Sequence, residues 1–292
     1  VLAASEAAAP AHPSGSGATG APGEITARHH AVPPARAKAA PMAPTMVLPR
    51  PRVLVTGASG LLGRQVMEAL LGDGSWDVRG LCRSRRRSSH TVVCDLTVDG
   101  AAAAQIQEFR PQAVLHLAAE WRPEVLRQSP ARARHLNVDA TGAVAAACEH
   151  FGAWLVYVSA DCVFDGRAPP YSVDATTNPL SEYGWHKLHG EQLAVAACPQ
   201  AAVLRVPLLY GPIESASESA VTSLLSDFKS GVRAVDAWQR CYPTWTGDVA
   251  GVLLAMLNLH RGGEPMRGIY HWQASAGFTW FEMMLMVAEV AE

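Results

Sequence analysis

Tyr183-Gly-Trp-His-Lys187 places a phenol and an ammonium four residues apart, and on a helix positions i and i+4 share one face. An ammonium beside a phenol favours the phenolate. That would bring a group that ordinarily titrates near pH 10 closer to neutrality, as proton donation during hydride transfer requires. Such a pair occurs by chance in many helices, and its meaning depends on a segment far upstream. There Val53-Leu54-Val55-Thr56-Gly57-Ala58-Ser59-Gly60-Leu61-Leu62-Gly63 sets three glycines three residues apart, directly after a short apolar run. Leu62, Val66, Ala69 and Leu70 then follow at helical spacing, so the glycines fall at a strand-to-helix turn. Bare glycines at such a turn let helix N-terminal amides and the positive dipole end reach a pyrophosphate that side chains would hold off. The other reading is a tight turn in an unrelated α/β protein. The flanking strand and helix favour a dinucleotide grip made by Thr56, Gly57, Ser59, Gly60, Leu61, Leu62 and Gly63.

The end of the second strand bears on which dinucleotide. A fold that prefers NAD sets Asp or Glu about 20 residues past the glycines, where it binds the ribose 2′-hydroxyl. This chain instead reads Cys82-Arg83-Ser84-Arg85-Arg86-Arg87, an acid-free, guanidinium-rich run suited to a 2′-phosphate. NADP(H) is therefore the expected cofactor, with Arg83 first and Arg85 second as phosphate partners; the alternative is a solvated basic loop. Asp95-Leu96, after the third strand, stands where a carboxylate could meet the adenine edge, although an Asp there also serves as a helix cap. Leu117, Ala118 and Ala119 end the fourth strand with little bulk, which suits close approach of a cofactor and equally suits tight strand-to-helix packing.

Positioning these residues requires alternating elements. Apolar runs predict strands over residues 53–55, 78–82, 91–94, 113–118, 154–159 and 202–209, and helical spacing predicts helices over 101–109, 131–151 and 183–197. Repeated βα units imply a Rossmann-type, doubly wound parallel sheet with ligands at the carboxyl ends of its strands. The expected organisation is an NADP-binding domain over 51–211 and a smaller, substrate-side C-terminal lobe over 212–292. Residues 1–50 differ from the rest, being rich in Ala, Pro, Gly and Ser, and are expected to form a disordered tail. Their basic bias faintly resembles an organelle transit peptide, but the prolines oppose the amphipathic helix this needs.

Composition narrows the class. With 292 residues, 49% hydrophobic, 17% charged and a net charge of -2, the chain suits a soluble globular protein and gives no sign of nucleic-acid binding. It has neither a long apolar run nor a signal-peptide pattern, so it is read as intracellular, in the cytoplasm and also the nucleus, with no membrane partner. The six cysteines include no C-x-x-C pair, which argues against a disulfide framework or a zinc site. His186 and His189 lack metal-helix spacing and are read as a solvated helix face, so no metal is expected.

Taken together, Thr56-Gly57-x-x-Gly60-x-x-Gly63, Tyr183-x-x-x-Lys187 and Ser159-Ala160-Asp161-Cys162-Val163-Phe164-Asp165-Gly166 resemble the extended short-chain dehydrogenase/reductase superfamily. The Val-Phe-Asp-Gly segment is similar to the dTDP-4-dehydrorhamnose reductase branch. His116-Leu-Ala-Ala-Glu120-Trp-Arg122-Pro123, Leu136-Asn-Val-Asp-Ala140, Glu218-Ser-Ala-Val-Thr222, Trp238-Gln-Arg240 and Tyr242-Pro-Thr244 resemble the family of regulatory beta subunits of methionine adenosyltransferase. The resemblance runs from about residue 52 to the end. It implies a reductase fold that binds NADP(H) and joins the methionine adenosyltransferase catalytic subunit in a hetero-oligomer, adjusting S-adenosylmethionine synthesis without performing it.

Two departures qualify this. Active reductases of the branch carry Ser or Thr where this chain has Ala160, a hydroxyl that helps hold the substrate carbonyl. Ser159, one residue earlier on a strand, should face the other way unless the strand has bent. Losing such a donor costs on the order of 100-fold to 1,000-fold in rate. Tyr183 and Lys187 would then be vestigial as catalysts and serve the cofactor, with Lys187 on its ribose. The second departure is residues 278–292, which read as an amphipathic helix beyond which family chains continue; the C-terminal lobe is expected to be shortened. Three readings remain: a regulatory subunit, an NADPH-dependent reductase of a nucleotide-linked keto-sugar, and a remnant with neither activity nor partner.

Overall fold

The computed structural model describes residues 49–291 apart from Arg85, Val232 and Arg233. The expected tail, but for its last two residues, and the candidate phosphate ligand Arg85 lie outside the described residues. In chain order the first half runs β1 (Arg52–Thr56), α1 (Leu61–Asp73), β2 (Asp77–Cys82), β3 (Thr91–Val93), α2 (Ala101–Phe109), β4 (Ala113–His116), α3 (Pro123–Gln128), α4 (Pro130–Arg134) and α5 (Ala140–Phe151). It continues with β5 (Trp154–Ala160), α6 (Glu182–Ala197), β6 (Ala202–Val206), β7 (Leu209–Tyr210), α7 (Ala220–Lys229), β8 (Arg240–Cys241) and β9 (Thr244–Trp245). α8 (Thr246–Arg261), β10 (Gly268–His271), β11 (Phe278–Thr279) and α9 (Trp280–Ala291) complete it.

Seven strands form one parallel sheet in the order β10-β6-β5-β4-β1-β2-β3. The chain winds outward in both directions from the middle, so the topological switch lies between β1 and β4, where their connections part and leave a crevice. Helices cover both faces, which is why Val-Leu-Val in β1 and Ala-Val-Leu in β4 are buried continuously instead of alternating with polar residues. One face packs Val53, Val55, Val66, Leu70, Leu115 and Val156 together with Val249 and Leu253 of α8. The opposite face packs Leu54, Ile106, Val114, Val144, Leu155 and Tyr157 under α2, α5 and α6. A separate small core of Leu224, Cys241, Met283 and Met284 joins α7 and α9 with the short β8–β11 ladder.

The elements depart from expectation in three places. The helix expected over 131–151 is interrupted by a π-helical turn, His135–Asp139, between α4 and α5. The strand expected to reach residue 209 stops at Val206 because Pro207 has no N–H for the ladder, and β7 then pairs with β9 instead. The seventh strand of the main sheet, β10, comes from near the C-terminus and pairs with β6. Among the described residues, no helix is long and apolar enough to cross a membrane.

Candidate functional site

The glycine turn joins the end of β1 to α1 at the switch point. Gly57 adopts φ +68°, and a Cβ there would stand 2.8 Å from the Ala118 backbone nitrogen, so the turn lies directly on the segment leaving β4. A Cβ on Gly63 would meet the Gly57 carbonyl oxygen at 2.1 Å, so α1 can begin this close to the turn only with glycine. Gly60 is the N-cap and offers no side-chain cap, and the first turn of α1 carries no acidic residue. The N–H groups of Leu61 and Leu62 therefore open an uncompensated positive helix end toward the crevice, a setting suited to an anionic group. Ser59 adds its carbonyl to the anchor of Arg64, which also bonds the Pro212 carbonyl (2.9 Å) and pairs with Glu218 (2.7 Å).

Across the switch, Thr56 and His116 are register partners at the ends of β1 and β4. The Thr56 hydroxyl accepts from the amides of Leu117 (3.1 Å) and Ala118 (3.2 Å) and lies 2.7 Å from His116 Nδ1. The other imidazole nitrogen is 3.0 Å from the Thr141 hydroxyl, which bonds the Asn137 carbonyl in the π-helical turn. Burial, with the Lys187 charge behind it, pulls the His116 imidazole down to about 3, so it is neutral. Asn137 in turn bonds both backbone groups of Glu120. Leu117, Ala118 and Ala119 are thus half-buried residues on a segment pinned at both ends.

The basic run splits. Arg83 is exposed at the end of β2; burial would raise the Glu120 carboxyl, but its bonds from Arg122 hold it down, with the Arg83 charge adding to them. Arg86 bonds the Ser88 and Ser89 carbonyls, and Arg87 pairs with Glu214. Asp95 caps its own turn, accepting from the amide and hydroxyl of Thr97, which set its low titration ahead of Arg132 and Arg83; Leu96 beside it is buried.

On the other side of the crevice α6 starts with a Ser181 cap and rests against the turn after β5, where a Cβ on Gly184 would lie 2.3 Å from the Cys162 carbonyl oxygen. Lys187 is 3% exposed, donates to the Val158 carbonyl at 2.6 Å and sits 4.1 Å from the Tyr157 ring centroid. Burial lowers its ammonium to about 8. Tyr183 is half-buried at the start of the same helix. Desolvation by the protein around it, followed by the charges of Cys162, Asp161 and Glu120, pushes its phenol up, and the Lys187 ammonium uses one of its N–H groups on the Val158 carbonyl. β5 is still extended at Ala160 (φ -139°, ψ 157°), so Ser159 and Ala160 point to opposite faces. The Ser159 hydroxyl is buried with no hydrogen-bond partner among the described residues. Solvent reaches Asp161, yet desolvation by the protein around it raises its carboxyl to about 6.

The solvated-face reading of His186 is wrong: it is 5% exposed and faces Asn137 at 3.4 Å, because α6 turns that side toward the π-helical turn, whereas His189 is exposed. His116, Thr141 and the buried Arg205–Glu191 pair (2.7 Å) were not singled out by spacing. A histidine closing a buried strand was the available signal. Among the described residues no group of three or more His, Cys, Asp or Glu could hold a metal ion.

Residues 51–292 match the model of the RmlD substrate binding domain. The chain is 41% identical over 246 residues to methionine adenosyltransferase 2 subunit beta of Xenopus tropicalis, covering 84% of this chain and 73% of that protein. It is likewise 41% identical over 243 residues to the protein of the same name in Danio rerio, covering 82% and 74%. Among solved structures, dTDP-4-dehydrorhamnose reductase from Bacillus anthracis in complex with NADP is similar with a TM-score of 0.70 at 26% identity, covering 83% of this chain and 81% of that one.

Proposed function

This chain belongs to the RmlD substrate binding domain family, among the methionine adenosyltransferase 2 beta subunits, and from that premise we propose that it is an NADP(H)-binding regulatory subunit of methionine adenosyltransferase. It associates with the catalytic subunit and modulates S-adenosylmethionine synthesis without itself performing a reaction. The observation that carries this reading is Ala160: the cleft keeps a grip for a dinucleotide but has no hydroxyl at the strand position where the reductases of the branch have one. A turn packed so closely that its own backbone leaves no room for a Cβ at Gly57 or Gly63, leading into a helix N-terminus with no side-chain cap and no acidic residue in its first turn, fits a pyrophosphate. Thr56, Gly57, Ser59, Gly60, Leu61, Leu62 and Gly63 would hold it, Arg83 would meet the 2′-phosphate, and Leu117, Ala118, Ala119, Asp95 and Leu96 would line the nucleoside side. Lys187 would bond the nicotinamide ribose and Tyr183 would border it. When bound, NADPH could supply a hydride; with no hydroxyl on Ala160 to hold a carbonyl beside it, the cleft is better suited to occupancy than to turnover.

The test uses the full chain with a purified methionine adenosyltransferase catalytic subunit, with and without NADP(H). Co-purification and a change in the kinetics of S-adenosylmethionine formation are expected. Absence of both removes the reading. A second reading, an NADPH-dependent reductase of a nucleotide-linked keto-sugar, draws on Tyr183 and Lys187 on one face of α6 and on the fold of the Bacillus anthracis reductase. NADPH oxidation on such a substrate, accelerated by Ala160→Ser, would support it; no oxidation by either chain would end it.

A further inference from the structure

The hydrogen bonds around His116 can run in only one direction. Thr56 Oγ1 accepts two backbone N–H groups, from Leu117 and Ala118, which occupies its lone pairs. Its single proton is therefore left for His116 Nδ1, 2.7 Å away, and that nitrogen must accept. At the far end Thr141 gives its proton to the Asn137 carbonyl four residues back, a common use of a helical threonine, so its oxygen must receive a proton from His116 Nε2 at 3.0 Å. The ring is stacked on Tyr157 with 5.7 Å between centroids and is wholly buried, so neither a flip nor a water can substitute.

We propose that His116 is a positioning residue of the dinucleotide site: locked as the neutral Nε2–H tautomer, it takes the Thr56 proton and so sets the distance between the glycine turn and the segment leaving β4. The proposal rests on the dinucleotide reading above. Its reach follows from where the chain of bonds ends. Thr56 directly precedes Gly57, where even a Cβ would strike the Ala118 backbone, so this hydroxyl ties the glycine turn to the segment leaving β4. If Thr56 lost its acceptor, its proton would compete for other partners and its lone pairs would turn from the two amides, freeing Leu117 and Ala118.

His116→Asn and His116→Gln separate this role from general packing. Asparagine can place an acceptor at the Nδ1 position and lose the Thr141 contact; glutamine can reach Thr141 and lose the Thr56 contact. With the full chain, NADP(H) affinity measured by calorimetry should stay within about threefold of wild type for His116→Asn. It should fall on the order of tenfold or more for His116→Gln, the size that a stranded buried hydroxyl implies. Equal affinities at equal folded fraction overturn the proposal, as does a wild-type ¹⁵N spectrum with the proton on Nδ1. Should both variants unfold, the wild-type ¹⁵N spectrum decides alone, a proton on Nε2 supporting the proposal and one on Nδ1 overturning it. A wild-type chain that binds no NADP(H) overturns the dinucleotide reading and this proposal with it, a result distinct from wild-type binding with variants that do not differ.

Discussion

The two walls of the crevice are built to different standards. On the β1/β4 wall, Thr56, His116, Thr141 and Asn137 are joined in a buried hydrogen-bonded chain. On the β5/α6 wall, the Ser159 hydroxyl is buried without a partner among the described residues, and such a group costs about 1–3 kcal/mol. Both walls are made of the same parallel sheet, so the contrast does not come from the fold. It teaches that one sheet can tie the polar groups of one wall into a continuous hydrogen-bonded chain and leave a polar group of the other stranded.

The comparison can be broken first at the base of the weaker wall. Arg205 on β6 and Glu191 on α6 form a pair that is 5% exposed on both sides, and Arg205 also stacks on Phe164 at 5.0 Å. Glu191→Gln strands the guanidinium and should lower unfolding free energy by about 3–5 kcal/mol in denaturant titration. A loss below about 1 kcal/mol would mean that the Arg205 guanidinium is reached by water in solution and is not held in a closed pair. Next comes Gly63→Val, whose side chain would enter the Gly57 carbonyl. About 1–3 kcal/mol of stability and all measurable NADP(H) binding should go, while a chain that still binds would place the grip elsewhere.

Lys187 sharpens the contrast through pH. Its ammonium titrates at about 8 when folded against an ordinary 10.5, so below 8 both states hold the proton and above 10.5 neither does. Between these limits the unfolded chain binds more protons. Stability from this group therefore rises with pH, at up to about 1.4 kcal/mol per unit. Buried thiols and phenols with raised titration pull the other way, so the quantity to measure is wild type minus Lys187→Met across pH 8–10.5. A flat difference would show that the ammonium is solvated in solution. The smallest effects lie on the rim. Arg87→Ala removes a surface pair with Glu214 and should change stability by less than about 1 kcal/mol. Arg83→Ala should weaken NADP(H) by about tenfold and leave NAD(H) unchanged, since a charge-assisted phosphate contact is lost; equal losses for both would remove the 2′-phosphate role.

The glycine turn between β1 and α1 was legible because its signals are local. Gly57, Gly60 and Gly63 lie between an apolar strand and an amphipathic helix, and strand-helix alternation dictates where such a turn must fall. The chain of bonds behind it was not legible, because Thr56 and His116 are paired only once β1 and β4 are neighbours in the sheet. His116 reads in sequence as the end of an apolar run. Arg205 and Glu191 were hidden for the same reason, a charge in a strand and a charge in a helix that meet only through packing. The π-helical turn His135–Asp139 leaves helical periodicity nearly intact on either side, so 131–151 reads as one helix. Tyr183 and Lys187 were legible as two residues on one helix face, but spacing carries no information about solvent, and desolvation opposes the shift that the ammonium alone would give the phenol.

β10 gives the molecule a history as well as a shape. Its partner β6 ends at Val206, yet β10 begins only at Gly268, so during synthesis most of the sheet can assemble while β6 still has a bare edge. An open parallel edge is a template for pairing with another chain, and domains begin to fold from the N-terminal side as they emerge. Arg205 sits on that edge and is joined there by His271 of β10 at 3.3 Å, so its cage closes last. Between those two events the nascent chain carries β6 as an unpaired parallel edge, which β10 then covers.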